Sequence, residues 1–397
     1  MLSAQINKLN DKILVIKNAT IIPSPNDSII QQATIIIKNG KIISVGDDTL
    51  PAEKNAVTIN AAGCFVLAGF WNSHVHFIES KWAGAGNISN ERMEIQLQQF
   101  LTCYGFDYVF DIGSHLDNTL SIKKRIEAKR VKSPYIFTTG LLFALPGGQP
   151  VYLSFRLPEL FSSIDAIKKI FNIINNGANA IKIYSGSIVT NTGKMVYMNP
   201  ATIRAVSMTA HNFHKLVFAH PQTDKGVELA VQNGVDIIAH TTLHKMWSDT
   251  LLHEMISKKI SLIPTLKLYD FLMRQEHLPD SSVSELMQTP LQELGRFSKM
   301  GGQVLFGTDV GYMIDCNPDD EYVYMQKAGL SFRQILASLT TAPAARFNKS
   351  SLTGKIQKGM DADLVILSAN PLEDIKSLNS VLYTIKHGEI IYSSKSK

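Results

Sequence analysis

Two histidines two residues apart on an extended chain can face one metal ion, and His74-Val75-His76 has that spacing. Taken alone the pair is a weak signal, because turn histidines bonded to backbone are common. The stronger signal is what stands at the ends of other apolar runs. His220 closes Leu216-Val217-Phe218-Ala219, His240 closes Asp236-Ile237-Ile238-Ala239, and Asp309 closes Val304-Leu305-Phe306-Gly307-Thr308. Any one of these could be a hydrogen-bonded core histidine or a turn-capping aspartate. Four histidines and an aspartate, each at a strand end, together predict a metal centre. Imidazole and carboxylate suit Zn²⁺ and similar borderline ions.

Lys182 is the least conventional candidate. It lies inside Ala180-Ile181-Lys182-Ile183-Tyr184, an otherwise apolar strand. Burying an ammonium is costly and lowers its pKa, so such a lysine needs a reason. One reason is an ion pair with Asp111 or Asp309; another is a neutral amine that has taken up CO₂ to give a metal-bridging carbamate. Spacing alone leaves both open. Weaker candidates for substrate contact are Tyr184 and His244, with Ser185 and Gly147-Gly148-Gln149 on neighbouring loops. Asp111, ending its own strand, is expected to support the ligands as a hydrogen-bond acceptor. Trp71 and Phe77 read as packing. The remaining histidines (115, 211, 214, 253, 277 and 387) fall in helices, turns or surface loops and receive no chemistry.

The elements that must position these residues follow from hydrophobic rhythm. Eight apolar runs are expected as strands: Phe65–Phe70, Tyr108–Ile112, Tyr135–Thr139, Ala180–Tyr184, Leu216–Ala219, Asp236–Ala239, Ser261–Leu266 and Gln303–Thr308. Helical patterns such as Glu91–Tyr104, Ile164–Asn176, Pro200–His214, Lys225–Asn233 and Val283–Met300 lie between them. Near-continuous apolar strands alternating with helices predict a parallel sheet, and eight units fit a (β/α)8 TIM barrel better than an open sheet. The connections after the first, third, fourth and eighth strands are long, as is 267–282, and all sit at the strand C-termini where barrel active sites form. Both chain ends carry only short β-rich runs, with Asn39-Gly40 as a hairpin signal. They predict a small β-sandwich from residues 1–63 and 351–397, leaving 64–350 as the barrel.

Composition narrows the function classes. The 397 residues are 45% hydrophobic and 18% charged, ordinary for a globular α/β protein. A formal net charge of +5 is dispersed, and Lys123-Lys124-Arg125 with Lys129-Arg130 reads as a solvated helix face, so no nucleic-acid partner is expected. No phosphate loop or Gly-x-Gly-x-x-Gly follows the first strand. Three distant cysteines give neither a disulfide framework nor a zinc ribbon. The polar start MLSAQINKLNDK lacks a signal-peptide core, and no apolar run spans a bilayer. A cytoplasmic enzyme with a small-molecule substrate, no membrane partner and room for homo-oligomer formation is expected.

The run Gly69-Phe70-Trp71-Asn72-Ser73-His74-Val75-His76 resembles the first-strand signature of the amidohydrolase superfamily. Ile181-Lys182-Ile183-Tyr184, Ala219-His220-Pro221, Ala239-His240-Thr241 and Gly307-Thr308-Asp309-Val310-Gly311 are similar to its fourth, fifth, sixth and eighth strand motifs, in order. Thr341-Ala342-Pro343-Ala344-Ala345-Arg346 and Lys358-Gly359-Met360-Asp361-Ala362-Asp363-Leu364-Val365 resemble its return to the terminal domain. The likeness spans nearly the whole chain and is nearest the imidazolonepropionase and metal-dependent prolidase-like branch.

This resemblance implies that His74, His76 and Asp309 hold one divalent metal, with Zn²⁺ the leading candidate. His220 and His240 would hold a second, bridged by N6-carboxylysine at Lys182. A single-metal form on His74, His76, His220 and Asp309 stays open. The implied reaction is hydrolysis of a C–N amide bond in a cyclic amide, N-acyl or peptide-like small molecule, with metal-activated hydroxide. Asp309 would shuttle the proton, and His240 or the second metal would polarise the carbonyl. The alternative is a single-metal aminohydrolase (deaminase) acting on a C=N or C–NH₂ centre. Such relatives place a glutamate three residues after the fifth-strand histidine; here Thr223 stands there, with Asp224 adjacent. Prolidase-like relatives often carry a tyrosine two or three residues after that histidine, where this chain has Gln222 and Thr223.

Overall fold

The computed structural model describes residues 12–46, 56–150, 153, 155–189 and 193–395. The stretch 1–11, on which most of the signal-peptide expectation rests, lies outside them.

At the N-terminal end stand β1 (Ile13–Ile21), β2 (Ile30–Lys38), β3 (Lys41–Gly46), β4 (Val57–Asn60) and β5 (Phe65–Ala68). The parallel core supplies β6 (Phe70–Val75), β7 (Phe106–Asp111), β8 (Tyr135–Thr138) and β9 (Ile181–Tyr184). A hairpin, β10 (Gly186–Val189) with β11 (Lys194–Tyr197), follows. Next come β12 (Val217–His220), β13 (Ile237–Ala239), β14 (Ser261–Ile263) and β15 (Gln303–Val304). The C-terminal end gives β16 (Leu364–Leu367), β17 (Val381–Lys386) and β18 (Glu389–Ser393).

β6-β7-β8 form one parallel sheet and β15-β14-β13-β12-β9 another. Backbone hydrogen bonds join their edges. On one side Ser73 N donates to Phe306 O at 2.7 Å and Asp309 N to His74 O at 2.9 Å. On the other, Phe143 N donates to Lys182 O at 2.9 Å and Asn179 N to Thr138 O at 2.7 Å. Phe110, Ile112, Ala180, Phe218, Ile237, Ile263 and Leu305 meet in an inner cluster, while Ile181, Ile183, Val217, Ile238 and Leu262 pack outward with the helices. Side chains alternate along a strand, so Lys182 and His220, two residues beyond Ala180 and Phe218, also face inward.

The expected first barrel strand is displaced. Phe65–Ala68 pairs with β1 and β16 in the terminal sheet, and the first strand of the parallel core is β6. His74 therefore lies within a strand rather than past one, and the terminal sheet extends beyond residue 63. Gly69 makes the passage between the two sheets. A Cβ there would sit 1.9 Å from the Asp107 carboxylate, so only glycine permits so close an approach.

Residues from both chain ends build one sheet in the order β18-β17-β16-β5-β1-β2-β3, with β4 also on β1. Instead of two separate layers it is a single sheet that curls. Gly388 packs on Gly40 and Ile37, bringing together hairpins from opposite ends of the strand order. The Asn39-Gly40 turn has both residues at positive φ, 51° and 81°, as a tight hairpin requires.

Two other sequence expectations change. The 267–282 connection holds the helix Leu266–Gln275 and the start of Asp280–Leu286. The strand ends at Ile263 because Thr265 turns left-handed, φ 48°, and becomes the N-cap. The Val283–Met300 pattern splits into two helices around Met287. No helix among the described residues is long and apolar enough to cross a membrane.

Candidate metal centre

β6 delivers His74 and the residue after its end delivers His76, both facing the core. Their Nε2 atoms lie 3.2 Å apart. Asp309 Oδ1 is 3.2 Å from His74 Nε2 and 2.8 Å from His76 Nε2. Tetrahedral Zn²⁺ with bonds of about 2.0–2.1 Å needs donors about 3.3 Å apart, so this trio has the spacing of a ligand set. Its ligand atoms all lie within 4.8 Å of one another.

His240 and Asp309 reach the site by strain. Their φ values are 85° and 61°, in the left-handed region that costs a non-glycine residue free energy. Ala239 faces the inner cluster, so a regular strand would turn His240 outward; the bend re-aims it. Its Nδ1 meets Thr265 Oγ1 at 2.6 Å, and its Nε2 lies 3.9 Å from Asp309 Oδ2. The His240 ring packs 4.8 Å from that of His74 and 4.6 Å from that of His220. His220 Nε2 pairs with Gln222 Oε1 at 3.0 Å.

Lys182 is 2% exposed and its Nζ has no hydrogen-bond partner among the described residues. Neither expected ion-pair partner takes it. The Asp111 oxygens accept from Ser114, Thr119 and Thr138 hydroxyls at 2.6–2.8 Å. Asp111 therefore pins the chain beyond β7, where the Ser114 hydroxyl receives Phe77 N, and among the described residues it makes no hydrogen bond to a histidine.

Burial sets the protonation states. It lowers His74 to about 3 and His220 to about 4, holds His240 well below the usual imidazole range, and brings Lys182 down to about 7. Burial alone would raise Asp309, but His74 and His76 hold it well below the usual carboxylate range. Neutral imidazoles beside an ionised carboxylate are the states that bind a cation.

The cluster floors a cavity of about 360 Å³, which Tyr184 and His244 also line. Gln149 instead braces its own loop, accepting from Leu157 N and donating to Phe155 O. Trp71 stacks on Tyr108 and Phe137 in the interior. Asp224 is bound to Lys245 at 2.6 Å and is not among the cavity-lining residues, while Thr223 caps the helix Asp224–Gln232. Tyr269, Tyr312, Leu268, Leu272 and Glu276 also line the cavity, although the sequence alone does not single them out. Leu268, Tyr269 and Leu272 lie on the helix Leu266–Gln275, Glu276 is its C-cap, and Tyr312 stands in the turn after Asp309; the apolar spacing of Leu268 and Leu272 is the sequence signal for that helix.

One test of the geometry arises at Gly311. Its φ is 99°, and an added Cβ would sit 1.9 Å from the His76 carbonyl oxygen. Gly311→Ala should cost about 1–3 kcal/mol of stability and displace His76. Thermal unfolding and metal titration together check this; an unchanged Tm and affinity would show that the loop yields freely.

A pattern for the amidohydrolase family matches residues 65–391, and the chain belongs to that family. It is a hydrolase acting on carbon–nitrogen bonds. It is 24% identical to an imidazolonepropionase of Kosmotoga olearia over 92% of each chain. It is 21% identical to an ochratoxinase of Aspergillus niger, covering 92% of this chain and 83% of that one. Among solved structures, a Xaa-Pro dipeptidase with bound methionine superposes with TM-score 0.83 at 21% identity, covering 96% of this chain and all of that one.

Proposed function

We propose that the protein hydrolyses an amide C–N bond of a small molecule at a centre held by His74, His76, Lys182, His220, His240 and Asp309. The observation that carries this reading is the Lys182 amine, buried and unpartnered amid four histidines and an aspartate. A neutral amine in that position adds CO₂, forming an N–C bond and releasing a proton, and so becomes N6-carboxylysine. The resulting carboxylate supplies the negative charge that a pair of cations needs.

His74, His76 and Asp309 would hold one divalent metal, with Zn²⁺ suited to the donor set. His220 and His240 would hold a second, with carboxylated Lys182 between them. A metal bound there acts as a Lewis acid on the amide carbonyl and lowers the pKa of water. Asp309 takes the proton of the attacking water on Oδ2 and later returns it to the leaving nitrogen. In a single-metal form His240, its ring fixed by Thr265, would be free of the second ion and would polarise the carbonyl oxygen instead. The joined edges of the two parallel sheets support reading the core as a closed (β/α)8 barrel with this chemistry at its C-terminal rim.

A single-metal reading has one observation of its own: only His74, His76 and Asp309 converge as a ligand trio among the described residues. Metal content per chain separates the two. Protein purified with ¹³C-bicarbonate and no chelator should carry two metals and a carbamate carbon resonance, and should cleave simple amides or lactams. One metal without that resonance would point to the single-ion form. A folded, metal-free protein would overturn the proposal. Chelation of loaded enzyme should abolish turnover, with recovery on adding Zn²⁺.

A further inference from the structure

The cavity above the proposed centre is apolar and short of positive charge. Ile78, Leu142, Phe155, Leu243, Leu268 and Leu272 form much of its wall. Lys182, on the floor, is the only lysine or arginine among the described lining residues. Cations near the rim are committed elsewhere. Lys267 binds Asp315 at 2.7 Å, Lys245 binds Asp224 at 2.6 Å, and Arg274 binds Asp270 and Asp280 at 2.8 and 2.9 Å. One hydroxyl on the wall is also committed: the Tyr269 hydroxyl donates to the Thr241 carbonyl. Gln222 turns its acceptor Oε1 to His220, and His244 brings an imidazole but no fixed cation.

The charge at the mouth is negative. Glu276 lines the cavity at the C-terminal end of the helix Leu266–Gln275, where the helix carbonyls already carry partial negative charge. No ion pair to Glu276 exists among the described residues, and Asp270 and Asp280 outnumber Arg274 beside it. A carboxylate entering this pocket would lose its water without gaining a counter-ion, while an amine would meet Glu276.

We propose that the substrate is an apolar amide without a free carboxylate, and that distal groups are preferred in the order ammonium, carboxamide, carboxylate. Glu276 is the residue that separates ammonium from carboxamide. The proposal rests on the hydrolase reading only in placing the scissile bond at the pocket floor.

Three matched 4-nitroanilides test it: 6-aminohexanoyl, adipamoyl and adipoyl (free acid). Their affinities are measured by calorimetry on metal-loaded Asp309→Asn protein, where turnover does not interfere, and their kcat/KM on the wild-type holoenzyme. The ammonium and carboxamide members should bind at least about 30-fold tighter than the carboxylate. Glu276→Gln should weaken the ammonium member about threefold and leave the carboxamide unchanged, as for a partly exposed charge pair. Equal or tighter binding of the carboxylate would overturn the inference. The expected binding order without cleavage of any member would support it while removing the hydrolase reading instead.

Discussion

Asp309→Asn should leave a folded, metal-loaded protein that turns over about 10²–10⁴-fold more slowly than wild type. Asparagine keeps the side-chain shape and an oxygen near His74 and His76, which lie 3.2 and 2.8 Å from Oδ1. It cannot take a proton at the position of Oδ2. Loss of activity with metal retained would therefore isolate the proton-transfer role from the ligand role. Metal analysis and steady-state kinetics on the same preparation make the comparison, and near-wild-type kcat would remove Asp309 from proton transfer. Loss of both metal and activity would show that the charge of Asp309, rather than its basicity, is what the site requires.

The second large effect is expected at Lys182, and its two readouts move in opposite directions. Lys182→Met keeps the volume and removes a buried amine that has no partner. Metal-free protein should gain about 1–3 kcal/mol, because an unsatisfied polar group leaves the core. Metal loading should fall, and activity should drop by more than the about 10–100-fold typical of losing an outer-shell partner, since a bridging ligand is gone. A lysine with a purely structural role predicts the reverse: lower apo stability with metal content unchanged. Chemical denaturation of the apo form, metal analysis and turnover of the loaded form distinguish the two.

Much of the site was legible because its signals are local in sequence. A polar residue directly after an apolar run is visible without knowing the strand's neighbours, and His220, His240 and Asp309 announce themselves that way; His74 and His76 do so by their spacing of two residues. The parallel α/β architecture follows from the same rhythm, and Asn39-Gly40 specified its hairpin through backbone sterics alone. The misassigned strand shows the limit. Phe65–Ala68 and Phe70–Val75 are both apolar and extended, and only pairing to β1 and β16 on one side or β7 on the other divides them. Such pairings join residues well apart in the chain, Thr20 with Phe65, Phe70 with Phe106 and Leu67 with Val365, which a hydrophobic pattern does not encode.

The chemistry divides in the same way. From residue types and order alone came the family, the reaction class and the candidate ligands. Tertiary structure decided which partners were taken. It gave Asp111 to three hydroxyls, left the Lys182 amine without a partner, sent Asp224 to Lys245, and turned an expected loop into a helix bearing Tyr269 and Glu276 into the cavity wall. The physical reason is that hydrogen bonds and burial are competitive and non-local. A buried group's chemistry depends on what else reaches it, and that is settled only when the strands and helices close around it.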